Sequence, residues 1–358
     1  MINSLIAELL EEAFPDDYHG AIKNEDALDI ATTKSIMDLL DAYISDTLSS
    51  IIESADDATR YLNLITTHFN IDTHIASLFE ETITCIVENK LHNNIDISVA
   101  VPYAVPTDLL SDNIIIKAYA FGYPVTFNGK LKQPSAVYFT QAVKNGLHVT
   151  HILDGKFLRD IDIAGCNAIE VLHCDNNACI TTCDHFAATL RVIHACGTCG
   201  ISDDGLRLCV NVRELYCDNN PRITTCVPFP NLEILRACGK SGITDATLVT
   251  TTHIKVLFCS QNPNITTCDP FASKLQVLSC ADNSGITDKG LVQCKTIEKL
   301  YCDNNPNITT CKPFAHSLTL LNAYGNCGIS DGAITECPKL TKLYGGKNPR
   351  ITIKIPAQ

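Results

Sequence analysis

Long apolar runs are absent from this sequence. No stretch approaches the roughly 18 to 20 consecutive apolar residues that a membrane-spanning helix requires. The first residues, MINSLIAELLEEAF, form an acidic amphipathic segment that lacks the basic beginning of a secretory signal. We therefore expect a protein with no membrane contact, located inside the cell in the cytoplasm or nucleus.

Motifs of catalytic and nucleotide-binding sites are also missing. The sequence has no glycine-rich phosphate-binding loop, no nucleophile elbow and no HExxH zinc motif. These absences predict a protein that is not an enzyme and that carries no cofactor.

Positive charge is scarce in the front half of the chain, whose overall net charge is −13. Up to Val125 there are 21 acidic and 5 basic residues, and from Thr126 onward there are 19 acidic and 22 basic residues. An acidic front half repels phosphates and the rear half has no basic stripe, so nucleic acid is not expected as a partner. Halves of such different composition also predict separate domains.

Cysteine is abundant instead, with 19 residues, all but Cys85 in the rear part of the chain. A free cysteine is a small and often buried apolar residue, so cysteines that recur in register are expected to pack in a core. Equivalent positions two repeats apart would lie about 9 to 10 Å from each other, too far for a disulfide. The two recurring columns are Cys174, Cys217, Cys259 and Cys302, and Cys183, Cys226, Cys268 and Cys311.

The rear part consists of tandem repeats. LYCDNNPRITTC at 215–226 returns almost unchanged as LYCDNNPNITTC at 300–311. Two unit types alternate, type A from Ile169 and type B from Leu190, each with a period of 42 or 43 residues. A weaker B-like unit from Leu147 brings the total to ten. Because one such unit cannot bury its own apolar face, we expect a solenoid in which each unit forms one coil.

The A units follow the pattern I/L-x-x-L-x-C-x-x-N-x-x-I, which resembles a leucine-rich repeat; in the second A unit the matching residues are Val212, Leu215, Cys217, Asn220 and Ile223. In the B units, GISDDGL at 200–206 and GITDKGL at 285–291 resemble the cysteine-containing leucine-rich repeats of F-box proteins. The resemblance implies an α/β solenoid. It also implies a substrate-recognition subunit of a ubiquitin ligase, although the chain has no tryptophan and no Leu-Pro start typical of an F-box.

Three segments follow from these patterns. Residues 1–95 have helical apolar spacing, with Asp56 and Asp57 as expected N-caps, and predict an acidic helical domain. Residues 96–146 contain ISVAV, NIIIKAYAF and YPVTF between turn signals and predict a small β-containing cap. Residues 147–358 predict the leucine-rich-repeat solenoid of about ten coils.

A row of side chains on the strands is the predicted partner-binding site. Alternate side chains of a strand face opposite ways, so positions 4 and 6 of each unit point inward while positions 3 and 5 lie on the concave face. Aromatic and arginine side chains dominate interface hot spots, although aromatic residues also simply favour strands. The predicted site comprises position 5 with three aspartates from position 7: His173, His194, Tyr216, Arg236, Phe258, Tyr301, Tyr344, Asp175, Asp218 and Asp303.

Two further positions predict structural roles. In the B units an aspartate such as Asp203 is expected to cap a short convex helix. Position 9 of every A unit is an asparagine, whose carboxamide can donate to and accept from backbone groups between coils. This predicted structural ladder comprises Asn177, Asn220, Asn262, Asn305 and Asn348.

The predicted function is a non-enzymatic scaffold or adaptor that binds a protein partner along the concave face. A metal- or redox-active protein stays an alternative, because cysteines and histidines cluster over 173–199 and include the CxxC of Cys196 and Cys199. Several of these cysteines belong to the core columns, however, so no metal site is predicted. Self-association through the uncapped last coil is a further expectation. The repeats and the Asn-, Ile- and Thr-rich front half also resemble repeat proteins of large DNA viruses of amoebae, which implies a viral protein acting in a host cell.

Overall fold

The computed structural model describes two compact units of the chain. The first unit comprises residues 1–149 and 161–165, and the second comprises residues 150–160 and 166–358. None of the helices in the described ranges is long and apolar enough to cross a membrane. The predicted boundary after residue 95 lies outside the described residues, which are 29–44, 46–69, 111–120 and 128–354 with Leu9, Glu12, Ala13, Leu78, Glu81, Thr82, Thr84 and Cys85.

The first unit is helical where it is described. Ile36, Leu39 and Leu40 are completely buried on one face of its longest helix, as the apolar spacing predicts. Its elements are helices α1 (Ile30–Ile44), α2 (Leu48–Ile51), α3 (Ala55–His68), α4 (Asp112–Ala120) and α5 (Phe139–Lys144), and a short strand, β1 (Lys130–Leu131).

The cap of α3 differs from the expectation. Ser54 is the N-cap, and its hydroxyl accepts from the backbone N–H of Asp57 at 3.1 Å. The prediction that Asp56 and Asp57 cap this helix is therefore wrong. Both lie in its first turn, where their negative charges still favour the positive end of the helix dipole.

The expectation of β structure for NIIIKAYAF is also wrong, because residues 113–120 of this segment belong to α4. Its first turn is tied to the following loop: the Asp112 carboxylate accepts from the backbone N–H of Gln133, and Asn113 accepts from Ser135 at 3.2 Å. Burial of Ile115 and Ile116 on one face then stabilises a helix despite the β-branched run. The segments ISVAV and YPVTF lie outside the described residues.

The second unit is a stack of ten short parallel strands. Each pairs in register with the next, from Ile152 opposite Leu172 to Leu321 opposite Leu343. This architecture confirms the predicted leucine-rich-repeat solenoid. The strands are β2 (His151–Ile152), β3 (Val171–His173), β4 (Val192–His194), β5 (Glu214–Tyr216), β6 (Ile234–Arg236), β7 (Val256–Phe258), β8 (Val277–Ser279), β9 (Lys299–Tyr301), β10 (Leu320–Asn322) and β11 (Lys342–Tyr344).

The first coil departs from the expected register. A unit starting at Leu147 would place Thr150 opposite Leu172, but Ile152 pairs with Leu172 instead. The turn after β2 is correspondingly short, because the backbone N–H of Gly155 already donates to His173 O at 2.7 Å. The strand of this coil therefore begins two residues later than the repeat predicts.

Most coils carry a short helical turn after the strand. In the A units these are 3₁₀ turns such as Asp269–Phe271 and Lys312–Phe314, as the Pro-containing segments predict. The B units carry the helices α7 (Asp203–Leu206), α8 (Asp245–Leu248) and α9 (Asp331–Thr335) and the 3₁₀ turn Asp288–Leu291. Helix α6 (Asp160–Ile163) follows β2 along the chain.

The aspartate of the B motif joins neighbouring coils and does not cap its helix. Ser202 occupies the N-cap of α7, and Asp203 is the first helical residue. The Asp203 carboxylate accepts from the backbone N–H of Thr224 at 2.8 Å, from its hydroxyl at 2.5 Å, and from the N–H of Thr225 at 3.1 Å. The N-cap prediction is wrong because the motif satisfies the backbone of the next coil. The equivalents are Asp160, Asp245, Asp288 and Asp331.

The position-9 asparagines are buried between coils. The Asn262 side-chain nitrogen donates to Ala237 O at 2.9 Å and to Ile243 O at 3.3 Å, while its oxygen accepts from the backbone N–H of Asn264 at 3.0 Å. One carboxamide thus satisfies three backbone groups that no strand reaches. The other four make the same set of contacts: Asn177, Asn220, Asn305 and Asn348.

The cysteines of both columns are buried and free. A cysteine sulfur also contacts a side chain at a different repeat position in the adjacent coil, which a comparison of equivalent positions does not predict. The sulfur of Cys174 lies 3.4 Å from that of Cys199, and at the equivalent place Cys217 meets the Ser241 hydroxyl at 3.5 Å. Burial raises the pKa of the Cys217 thiol to about 12, so this column is neutral at pH 7.

The turns that follow several strands pair an asparagine of one coil with a glycine of the next coil. Asn219 has a positive φ of 56°, and in the next coil Gly239 has a φ of 62°. A Cβ at Gly239 would overlap the Asn219 side-chain oxygen. The pair Asn176 with Gly197 and the pair Asn304 with Gly325 repeat this arrangement.

One pair of neighbouring coils has different residues at these two places. Gln261 stands in the asparagine place and Asp282 in the glycine place, both at positive φ. The longer Gln261 side chain moves its amide away from the backbone of the next coil and donates to the Asp282 carboxylate at 3.0 Å. The two replacements therefore belong together.

We expect Asn262→Ala to lower the free energy of unfolding by about 2 to 4 kcal/mol, because two buried carbonyls and one N–H lose their partner. Asn283→Ala is the matched control, since Asn283 holds position 9 of the following B unit and is exposed. Denaturant titration followed by circular dichroism measures both. Equal effects of the two changes would contradict the role assigned to the buried carboxamide.

Gln261→Asn should destabilise the protein by about 1 to 2 kcal/mol, because the shorter amide then meets the Cβ of Asp282. In the double variant Gln261→Asn, Asp282→Gly, which recreates the pair found in three other places, most of this loss should be recovered. A thermodynamic cycle over the two single variants and the double variant gives the coupling. Strictly additive effects would disprove the pairing.

Candidate partner-binding face

Strand register places the fifth-position side chains in one row. His173 is opposite His194, His194 opposite Tyr216, and Arg236 opposite Phe258. Because every strand pairs in the same register, the row continues across the sheet and includes all seven predicted position-5 residues. Its full membership from β3 to β11 is His173, His194, Tyr216, Arg236, Phe258, Ser279, Tyr301, Asn322 and Tyr344.

The first three rings of the row stack on each other. The ring centroids of His173 and His194 are 3.8 Å apart at an interplanar angle of 26°, and those of His194 and Tyr216 are 3.9 Å apart at 17°. Further along, the Arg236 guanidinium carbon lies 5.8 Å from the Phe258 ring centroid. The ring faces are thus used within the row. Mutual packing holds the side chains in place before any binding.

Burial disfavours the charged forms of His194 and Tyr216. It lowers the pKa of His194 to about 4, with the neighbouring His173 acting in the same direction. Burial likewise raises the pKa of Tyr216 to about 12, aided by Glu214, whose carboxylate accepts from the Tyr216 hydroxyl at 3.0 Å. At pH 7 His194 and Tyr216 are therefore uncharged.

The position-7 aspartates connect coils at the ends of the strands. Asp175 accepts from the backbone N–H of Cys196 at 2.7 Å, and Asp218 does the same for Cys238 at 2.7 Å. Asp218 also accepts from the side chain of Arg236. Asp303 instead accepts from the Asn322 amide at 3.1 Å. These carboxylates already have partners in the chain, and their role in partner binding stays a prediction.

A second row at position 3 was not singled out from the sequence. It runs beside the aromatic row and is mostly aliphatic and half-buried over β3 to β8. The repeat pattern does predict this row, because positions 3 and 5 of a strand lie on the same face. Its members are Val171, Val192, Glu214, Ile234, Val256, Val277, Lys299, Leu320 and Lys342.

Most positive charges beside these rows are paired. Arg191 lies 3.8 Å from Glu170, Arg213 lies 3.6 Å from Glu233, and Lys255 lies 2.7 Å from the same glutamate. The charges over the first part of the sheet therefore largely cancel. Such exposed pairs contribute only about 0 to 1 kcal/mol each to stability, but they fix the local charge pattern.

The cysteine and histidine cluster over 173–199 is dispersed in the structure. Cys174 and Cys199 face the core, Cys179 is exposed, and the rings of His173 and His194 belong to the stack. Within the described parts of the chain, no three His, Cys, Asp or Glu side chains converge as metal ligands would. Burial also raises the pKa of the Cys196 thiol, which disfavours the reactive thiolate.

The strand of the tenth coil is less buried than the strands before it. Leu343 is only half-buried, unlike its completely buried counterparts in earlier coils, and Tyr344 is 55% exposed. Self-association through this coil stays a prediction.

Comparison with known proteins returns leucine-rich-repeat structures. An internalin of Listeria monocytogenes is 22% identical, with 58% of this chain and 69% of the internalin covered and a TM-score of 0.43. A leucine-rich-repeat protein of Leptospira interrogans is 17% identical, with 66% and 63% covered and a TM-score of 0.46. The yeast Rad7 and Elc1 complex is 14% identical, with 93% and 97% covered and a TM-score of 0.46. Similarity this low carries no argument about function.

No family model matches the sequence, and no curated protein matches it. The fold therefore defines the class of protein, a leucine-rich-repeat solenoid.

The depressed pKa of His194 predicts a stability that falls in acid. As the pH drops from 6.5 to about 4, the unfolded chain binds a proton at His194 that the folded chain does not. The free energy of unfolding should therefore decrease through this window, by up to about 3 kcal/mol. Denaturant titrations at pH 7 and pH 4.5 on the wild type and on His194→Gln measure the effect. An identical pH dependence in both proteins would contradict it.

Proposed function

We propose that the protein is a non-enzymatic interaction scaffold or adaptor that binds a protein partner on the concave face of its solenoid. The observation that supports this most is the preorganised row at position 5. Three stacked rings, an arginine over a phenylalanine ring and further tyrosines lie on one rigid sheet. Residues of these types dominate the energetics of protein interfaces.

The aliphatic row at position 3 supports the same proposal. Aliphatic side chains that are only half-buried on an open sheet gain free energy when a partner removes them from water. Next to them, the imidazole N–H groups and the Arg236 guanidinium supply hydrogen-bond donors. An apolar strip with polar groups beside it is the composition of an interface centre with its rim.

The acidic first unit extends the proposal to an adaptor. The residues up to Val125 carry 21 acidic and 5 basic side chains, which attract a basic partner through long-range electrostatics. A chain that offers an aromatic and aliphatic concave face and an acidic domain can hold two different partners.

The concave-face proposal predicts loss of binding when the aromatic row is truncated. Tyr216→Ala, Phe258→Ala and Tyr301→Ala combined should weaken partner binding at least about 30-fold, because hot-spot residues contribute about 2 kcal/mol or more. Affinity capture from lysate of the native host cell identifies the partner, and titration with the purified partner measures the change.

A matched control removes exposed apolar side chains elsewhere. Val227, Val249 and Val292 are 60%, 62% and 56% exposed next to the helical turns on the opposite side of the coils. Changing all three to alanine should leave binding intact. If the aromatic variant retains every partner with unchanged affinity, the row only covers the sheet and the proposal is wrong.

A further inference from the structure

The chemistry of the concave face changes along the solenoid. From β3 to β8, position 3 is occupied by Val171, Val192, Ile234, Val256 and Val277, with Glu214 as the exception. From β9 onward the same position carries lysine in two of three strands. Lys299 and Lys342 are both exposed, on either side of Leu320.

These two lysines differ from the other cations beside the face. Arg191, Arg213, Lys255 and Arg236 each pair with a carboxylate of the chain. Among the residues that the structure describes, neither Lys299 nor Lys342 has an acidic side chain within ion-pair distance, 4.0 Å.

Two neighbouring groups strengthen the positive character of this end. The Lys347 ammonium lies 5.6 Å from the Tyr324 ring centroid, which holds a third cation at the rim of the same coils. Asp303 is tied to the Asn322 amide and partly buried. The Asp303 carboxylate is thus already engaged within the chain.

The length of the face suits an extended segment. Eight strand intervals separate β3 from β11, which at about 4.8 Å each span roughly 38 Å. An extended peptide covers about 3.3 Å per residue, so about 12 residues cross the whole sheet. A segment of this length contacts the aliphatic and stacked residues over β3 to β8 and the lysines over β9 to β11.

Building on the proposed function, we propose that the partner docks through an extended segment of about 12 residues. Its apolar side chains lie over β3 to β8 and its aspartate or glutamate side chains lie over β9 to β11. Charge complementarity selects the acidic end, because Lys299 and Lys342 are the cations of this face that the chain leaves uncompensated. The apolar row along the remaining strands favours a peptide over a nucleic acid.

The test uses a displayed library of random 12-residue peptides, selected on the full-length chain in 150 mM salt. We expect the enriched peptides to carry aliphatic or aromatic residues over most of their length and clustered acidic residues at one end. The affinity of one enriched peptide is then measured by fluorescence anisotropy on the wild type and on three variants.

The first variant, Lys299→Gln with Lys342→Gln, should weaken binding about 3- to 20-fold and flatten its salt dependence, as the loss of two exposed ion pairs predicts. The second, Lys289→Gln with Lys312→Gln, removes two exposed lysines from the helical turns of the same region and should change nothing. The third, Tyr216→Ala with Phe258→Ala, tests the apolar part separately.

The outcomes are distinguishable. If the aromatic variant loses binding while the Lys299 and Lys342 variant keeps it, or if enriched peptides show no excess of acidic residues, the acidic segment is wrong and the concave face stands. Equal competition by a 12-nucleotide oligothymidylate also overturns the peptide assignment. If no peptide is enriched, or the aromatic variant binds every enriched peptide as the wild type does, the inference and the concave-face proposal fail together.

Discussion

The solenoid depends on backbone groups of one coil being satisfied by side chains of the next. Strands of only two or three residues leave most of each coil without ladder hydrogen bonds. Asn262 and its equivalents serve the inner turn, and Asp203 and its equivalents serve the outer turn. Because these contacts join consecutive coils, stability is shared between neighbours and no coil can fold alone.

The same contacts determine what the concave face can present. They hold each strand in identical register with the next, so a side chain at position 5 always meets another position-5 side chain about 4.8 Å away. At that spacing planar rings stack face to face, as His173, His194 and Tyr216 do. The stack is therefore a consequence of coil-to-coil register as much as of the residues that form it.

The repeated part of the chain could be predicted from sequence much further than the rest. Repetition averages out the ambiguity of any single coil, so the number of coils, the buried cysteine columns and the position-5 row all follow from the period. The failures concern features that occur once or depend on a neighbour. The helix of residues 113–120 is joined at its first turn to the backbone of Gln133 and Ser135. The Asp203 carboxylate accepts from Thr224 in the next coil and does not cap its own helix. Neither partner is visible in the local pattern.

Within a coil, different positions hold the fold together and form the concave face, so the side chains of that face can vary without loss of the fold. Positions that touch the next coil change in matched pairs, as Gln261 and Asp282 do. Positions 3 and 5 use only their backbone in the ladder, so their side chains are free to change from valine to lysine between β8 and β9. A change of side-chain chemistry along the concave face therefore costs the solenoid little stability.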